Sequence, residues 1–182
     1  ILIGLVGSEM CIRDRVPGDG KVTLYWDRVA EESLDPVTKE KDFQGYKIYR
    51  ATDPNFNDVR NITDANGLIQ GYSTLAQFDK KDEIKGYFYP SKSLFQDTKG
   101  YSYYLGDDSG LIHSYVDNDV QNGRTYYYAL VAYDHGDEEK DIFPSENSKF
   151  ISVLPTGEII TDQNTAYITV SYTHLTLPTI PG

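Results

Sequence analysis

Cysteine and methionine each occur once in this 182-residue chain, as Cys11 and Met10, and tryptophan once, as Trp26. A single thiol forms no intrachain disulfide, so a cysteine-stapled scaffold is excluded. Histidine is nearly as scarce: His113, His135 and His174 stand at no spacing that metal sites use. Basic residues are few, 17 Lys and Arg against 28 Asp and Glu, giving a formal net charge of −11. That balance argues against nucleic-acid backbones, which need clustered Lys and Arg, and against anionic membrane surfaces. No stretch is apolar over the length of a bilayer span, so membrane insertion is not expected. Glycine-rich phosphate loops and nucleophile elbows are missing. Tyrosine is what the chain has in quantity, with 16 residues.

The two ends carry a signal of their own. Met10-Cys11-Ile12-Arg13-Asp14 can be encoded as ATG TGT ATA AGA GAC, whose reverse complement encodes Val170-Ser171-Tyr172-Thr173-His174. One DNA element read on opposite strands therefore accounts for both pentapeptides. It resembles the transposase end used in shotgun sequencing libraries. On that reading residues 1–15 and 170–182 are non-native and adapter-derived, and the chain is a metagenomic fragment. The competing reading of Ile1 to Gly7, part of a signal-peptide core, lacks a basic start. Setting the ends aside removes the only Cys and Met and leaves the net charge unchanged, because Arg13 and Arg15 offset Glu9 and Asp14.

Short alternating runs bounded by turn residues dominate the remainder, which predicts an all-β fold. After the Gly18-Asp19-Gly20 turn, Val22, Leu24 and Trp26 share one strand face and Thr23, Tyr25 and Asp27 the other. Gly45 to Arg50 forms a second strand, with Tyr46 and Ile48 on one face. Gly123 to Asp134 forms a third, in which Tyr126, Tyr128, Leu130 and Ala132 alternate with Tyr127, Ala129, Val131 and Tyr133. Strands are also expected at residues 111–116 and 149–154, with residues 156–169 as a linker to a missing downstream region. Between Arg50 and Leu111 the pattern loosens. One or two strands are expected there, around 74–78 and 84–89, and a helical turn near 55–60.

These residues together resemble a fibronectin type III domain, an immunoglobulin-like β-sandwich. Val22-Thr23-Leu24-Tyr25-Trp26-Asp27 resembles strand B and Gly45-Tyr46-Lys47-Ile48-Tyr49-Arg50 strand C. Val120 to Tyr133 resembles the E–F corner and strand F, with Tyr126 at the tyrosine-corner position. Ser145-Glu146-Asn147 and the run after it resemble strand G. The resemblance covers residues 16–155 and implies a core of Trp26, Tyr46, Ile48, Tyr126, Tyr128 and Leu130. Two departures stand out: the insertion at about 51–111 between strands C and E, and a strand A truncated where the adapter begins. The Arg-Gly-Asp adhesion triplet of some family members is absent.

Candidate chemistry is confined to loops. Asp134, Asp137, Glu138 and Asp141 offer carboxylates to calcium, the one cofactor the pattern admits, although the spacing of a known calcium loop is missing. Solvated acidic loops are the simpler account. Tyr87, Tyr89, Tyr101, Tyr103 and Tyr104 in the insertion could present a stacking surface to a glycan or protein partner. No catalytic residues are expected, since no carboxylate sits in an apolar strand where burial would raise its pKa. The expectation is a non-catalytic spacer or interaction module of a larger secreted or cell-surface protein, bacterial in origin. It would be extracellular and would contact neighbouring domains of the same polypeptide. The alternative is an accessory carbohydrate- or calcium-binding module of an extracellular hydrolase.

Overall fold

The computed structural model describes residues 11–35, 39–89 and 102–172. Its strands are β1 (Ile12–Gly18), β2 (Lys21–Trp26), β3 (Phe43–Ala51), β4 (Ile62–Thr63), β5 (Ile69–Gly71), β6 (Ala76–Asp79) and β7 (Gly86–Phe88). They continue as β8 (Tyr103–Gly106), β9 (Ser114–Asp117), β10 (Thr125–Asp134), β11 (Ile151–Val153), β12 (Ile159–Thr161) and β13 (Thr165–Thr169). Among the described residues the only helical pieces are the 3-10 turns Val29–Glu32 and Asn57–Val59. The chain is all-β.

Two antiparallel sheets in a sandwich-like arrangement enclose the main core: β1-β2-β9, and β13-β10-β3-β6. The alternation of β2 buries Val22, Leu24 and Trp26 and exposes Tyr25. From the second sheet Tyr46 and Ile48 of β3 join Tyr126, Tyr128, Leu130 and Ala132 of β10 in the same cluster. Leu130 lies opposite Ile48 and Ala132 opposite Tyr46. The Trp26 ring meets Tyr46 edge-on, with centroids 5.9 Å apart. Each such side chain contributes about 1.5–3 kcal/mol of burial, before entropy is counted.

The other face of β10 is equally apolar and needs its own cover. Ala129 and Val131 pack with Tyr49, Ala51, Phe56 and Ile151, and Tyr133 packs with Phe88, Tyr103 and Leu105. Much of this layer comes from the insertion. Strand β6 extends the sheet along the edge of β3, and β7 pairs with β8 as a hairpin.

Two expectations are corrected, the linker at residues 156–169 and the closing strand at residues 149–154. Strand β1 pairs with β2 from Gly18↔Lys21 to Ile12↔Trp26. Residues 12–15 of the expected adapter lie in it, and Val170, also assigned to adapter, is fully buried in the main core. Residues 156–169 are not a linker, since they form β12 and β13, and β13 is hydrogen-bonded along β10. The second correction concerns residues 149–154: their strand is only Ile151–Val153, and it pairs with β12 instead of lying beside β10. Glu146 bridges Tyr133, and the Asn147 side chain accepts the Ala132 N–H at 2.7 Å. The chain then leaves as the β11–β12 hairpin and returns at Asn164, whose amide donates to the carbonyls of Leu130 and Ser148 at 3.0 and 2.8 Å. A strand beside β10 is thus interrupted by a hairpin and resumed as β13. Alternation reads the same in either setting; only the partner of each backbone group decides.

Candidate functional site

The outward face of the β3–β10 sheet carries Lys47 and Tyr49, the latter a member of the cluster around Ala129 and Val131. Because the insertion covers that face, the Lys47 side chain is only 7% exposed. Its ammonium lies 3.2 Å from Glu146 Oε1, 3.5 Å from the centroid of the Tyr103 ring and 4.8 Å from that of Tyr133. The bridge to Tyr133 positions Glu146. Its carboxylate also accepts the Tyr103 hydroxyl at 2.7 Å and the Tyr49 hydroxyl at 2.9 and 2.8 Å. Burial raises the Glu146 pKa, but Lys47 and the two hydroxyls outweigh it and hold the carboxyl below its ordinary value. Burial lowers the pKa of Lys47, and Glu146 opposes that. The result is an ionised acceptor fixed by three donors, which makes a poor general base.

Beside this network lies a cavity of about 260 Å³ lined by Lys47, Tyr49, Gln70, Gly71, Tyr72, Tyr103, Phe143, Pro144 and Glu146. Tyr49 and Tyr72 have ring centroids 5.6 Å apart, and Phe143 stands edge-on to Tyr103 at 6.1 Å. The lining of the cavity therefore mixes aromatic rings with the paired charges of Lys47 and Glu146.

The tyrosines expected to form one surface are divided. Tyr103 is buried at 4% exposure and belongs to the Glu146 network rather than to the surface. The reason is the β7–β8 pairing, which turns Tyr103 inward and Tyr104 outward. Tyr104 faces Tyr87 across the hairpin, centroids 5.1 Å apart. Its hydroxyl is pushed up to about 12, first by its hydrogen bond to Asp107. Tyr87 and Tyr89 are exposed, and Tyr101 lies outside the described residues.

The expected calcium ligands do not converge. Asp137 pairs with Lys140 at 2.9 Å, Glu138 and Asp141 are exposed, and Asp134 turns inward. There its oxygens accept Gly136 N–H at 2.9 Å, Ser145 N–H at 3.0 Å and the Ser145 hydroxyl at 2.5 Å. Burial nevertheless raises its pKa to about 6, against the opposing Ser145 bonds. That corrects the expectation that no strand carboxylate is raised by burial: Asp134 ends β10, and the chain folds back over it at Ser145. Asp35 and Asp42 are the acids that approach it, with carboxylate oxygens of all three within 4.8 Å of one another. Calcium takes six to eight oxygens, and those of Asp134 already serve Ser145 and Gly136.

Lys47, Glu146, Tyr72 and Phe143 were not singled out by the sequence. One signal for Lys47 was present: a β10 apolar on both faces implies that the outer face of its neighbour is covered. Comparisons with protein-family models, curated proteins and solved structures find no match to this chain.

Proposed function

We propose that the chain is a fibronectin type III-like, non-catalytic interaction and spacer module of a larger secreted or cell-surface bacterial protein. The observation that carries this reading is the corner before β10, where the Tyr126 hydroxyl accepts the Gln121 backbone N–H at 3.0 Å. A tyrosine bonding backbone a few residues upstream, at the start of strand F, is a hallmark of immunoglobulin-like sandwiches. Strand partition supports it too. The strand that resembles B lies in one sheet (β1-β2-β9), and those that resemble C and F share the other with β13. The adapter reading of the ends belongs to the same proposal and makes the first residues of β1 and the buried Val170 foreign additions to the sandwich.

The cavity beside Glu146 favours a second role alongside spacing, that of a carbohydrate-binding accessory to an extracellular hydrolase. Incubating the chain with chromogenic glycosides, esters and peptides tests the non-catalytic reading. No release of chromophore above buffer is expected; turnover that Glu146→Gln or Asp134→Asn abolishes would refute it.

A further inference from the structure

Among the described residues three pairs of tyrosine rings lie in contact: Tyr49 with Tyr72, Tyr103 with Tyr133, and Tyr87 with Tyr104. The first two pairs are closed to a reagent arriving from solvent. Tyr49, Tyr103 and Tyr133 are buried, and the Lys149 ammonium covers Tyr72 at 3.6 Å from its centroid. The hydroxyls of Tyr49 and Tyr103 donate to Glu146, and that of Tyr133 to the Leu105 carbonyl. The third pair stands in the open, with Tyr87 53% exposed and Tyr104 half-buried.

Local structure holds these two rings together. Tyr87 and Tyr104 are directly opposite in the β7–β8 ladder, their centroids 5.1 Å apart and their planes inclined by 56°. Cross-strand neighbours on one face stay within side-chain reach as long as the ladder is intact. Both strands are anchored. Gln77 Nε2 donates to the Tyr104 carbonyl at 3.3 Å. Ahead of β7, Lys85 pairs with Asp108 at 2.9 Å and the Glu83 N–H donates to the same carboxylate at 3.0 Å. The Tyr104 hydroxyl is hydrogen-bonded to Asp107. A phenol that loses one electron also expels its hydroxyl proton, and a carboxylate already in contact can take it.

We propose that Tyr87 and Tyr104 are a modification site, joined by a one-electron oxidant (a peroxidase supplied with hydrogen peroxide) into a dityrosine bond across the β7–β8 hairpin. Each phenol gives an electron to the oxidant and releases its hydroxyl proton, that of Tyr104 to Asp107. The two phenoxyl radicals then couple through one ortho carbon of each ring, forming a single C–C bond. The hydrogens on those carbons leave as protons while both ring oxygens are protonated again. The net loss is two hydrogen atoms, which reduce one hydrogen peroxide to two waters. Because the rings are held in contact, coupling is unimolecular and outruns collision between two chains. The bond fixes the hairpin that lays Phe88, Tyr103 and Leu105 against Tyr133 on the outer face of β10. It also constrains the unfolded chain, as a disulfide closing the same stretch would.

Treating the whole chain, at dilute concentration, with a haem peroxidase and limiting hydrogen peroxide tests it. Dityrosine fluorescence and mass spectrometry of the digested product are the readouts. The main crosslink should lie within one chain, between the peptides that carry Tyr87 and Tyr104, with two hydrogens lost. Tyr87→Phe and Tyr104→Phe should each lose that product. Tyr25→Phe, which removes an exposed ring from another sheet, should keep it. The parent chain unfolded in urea should lose it too, because the ladder that opposes the rings is gone. Circular dichroism confirms that each variant is folded. Crosslinks formed chiefly between chains or at other tyrosines, an unaffected Tyr87→Phe, or an equal yield in urea would each overturn the proposal. So would the absence of dityrosine at a peroxide dose that couples free tyrosine.

Discussion

Replacing Glu146 with alanine removes the acceptor of three donors at once: the Lys47 ammonium and the hydroxyls of Tyr49 and Tyr103. Lys47 would remain buried beneath the insertion with no opposite charge in contact. Breaking a buried pair from one side costs about 3–5 kcal/mol. The Glu146 side chain is 20% exposed, so some water can reach the gap and the lower end, about 3 kcal/mol, is expected. For a chain of this length that is a fall in Tm of about 6–12 °C. Urea unfolding followed by far-ultraviolet circular dichroism measures it. The double variant Lys47→Met with Glu146→Leu should recover much of the loss, because matched apolar groups often replace a buried pair at little cost. A single-variant cost below about 1 kcal/mol, or a double variant no better than the single, would refute the closed network. The pH dependence has a definite sign. The folded pKa of Glu146 lies below its unfolded value, so its contribution is present above the unfolded value and is lost as pH falls through the folded one. The gap between parent and Glu146→Ala should therefore narrow in acid.

Tyr126→Phe should cost about 1–3 kcal/mol in the same unfolding assay, since the Gln121 N–H loses its acceptor; a neutral result would remove the corner. Trp26→Ala, vacating the centre of the main cluster, should cost about 3–5 kcal/mol, and a surface-like effect would contradict its placement. Asp134 behaves oppositely to Glu146. Its folded pKa of about 6 stands above the unfolded value near ~3.9, so its contribution is full below the unfolded value and is lost as pH rises through about 6. Asp134→Asn should flatten the pH dependence of Tm between about pH 4 and 6, and an unchanged slope would assign it to other groups. Millimolar calcium should leave Tm unaltered, because the oxygens of Asp134 are occupied by Ser145 and Gly136. A rise in Tm would establish the metal site.

The inner half of the sandwich was legible because period-2 alternation states which side chains share a face. Val22, Leu24 and Trp26, and Tyr126, Tyr128 and Leu130, all lie in one core cluster. The strand pairing along the other edge of β10 was not legible, since the β11–β12 hairpin interrupts a ladder whose continuity lies in the bonds of Asn147 and Asn164, 17 residues apart. The pocket was less legible still. Lys47 reads as a solvated strand residue until the insertion buries it, and Glu146 and Lys149 gain meaning only from the rings of Tyr103, Tyr49 and Tyr72, which come from distant parts of the chain. Tyr103 and Tyr104 are adjacent and chemically alike, yet the hairpin sends one into the core and the other toward solvent.

The central claim, a fibronectin type III-like sandwich closed at the Tyr126 corner, is met most directly by amide hydrogen exchange in the parent chain and in Tyr126→Phe. The account predicts that the Gln121 N–H, which donates to the Tyr126 hydroxyl, is protected in the parent and loses that protection in the variant, while the amides of β10 keep theirs. Equal exchange at Gln121 in both chains would contradict it.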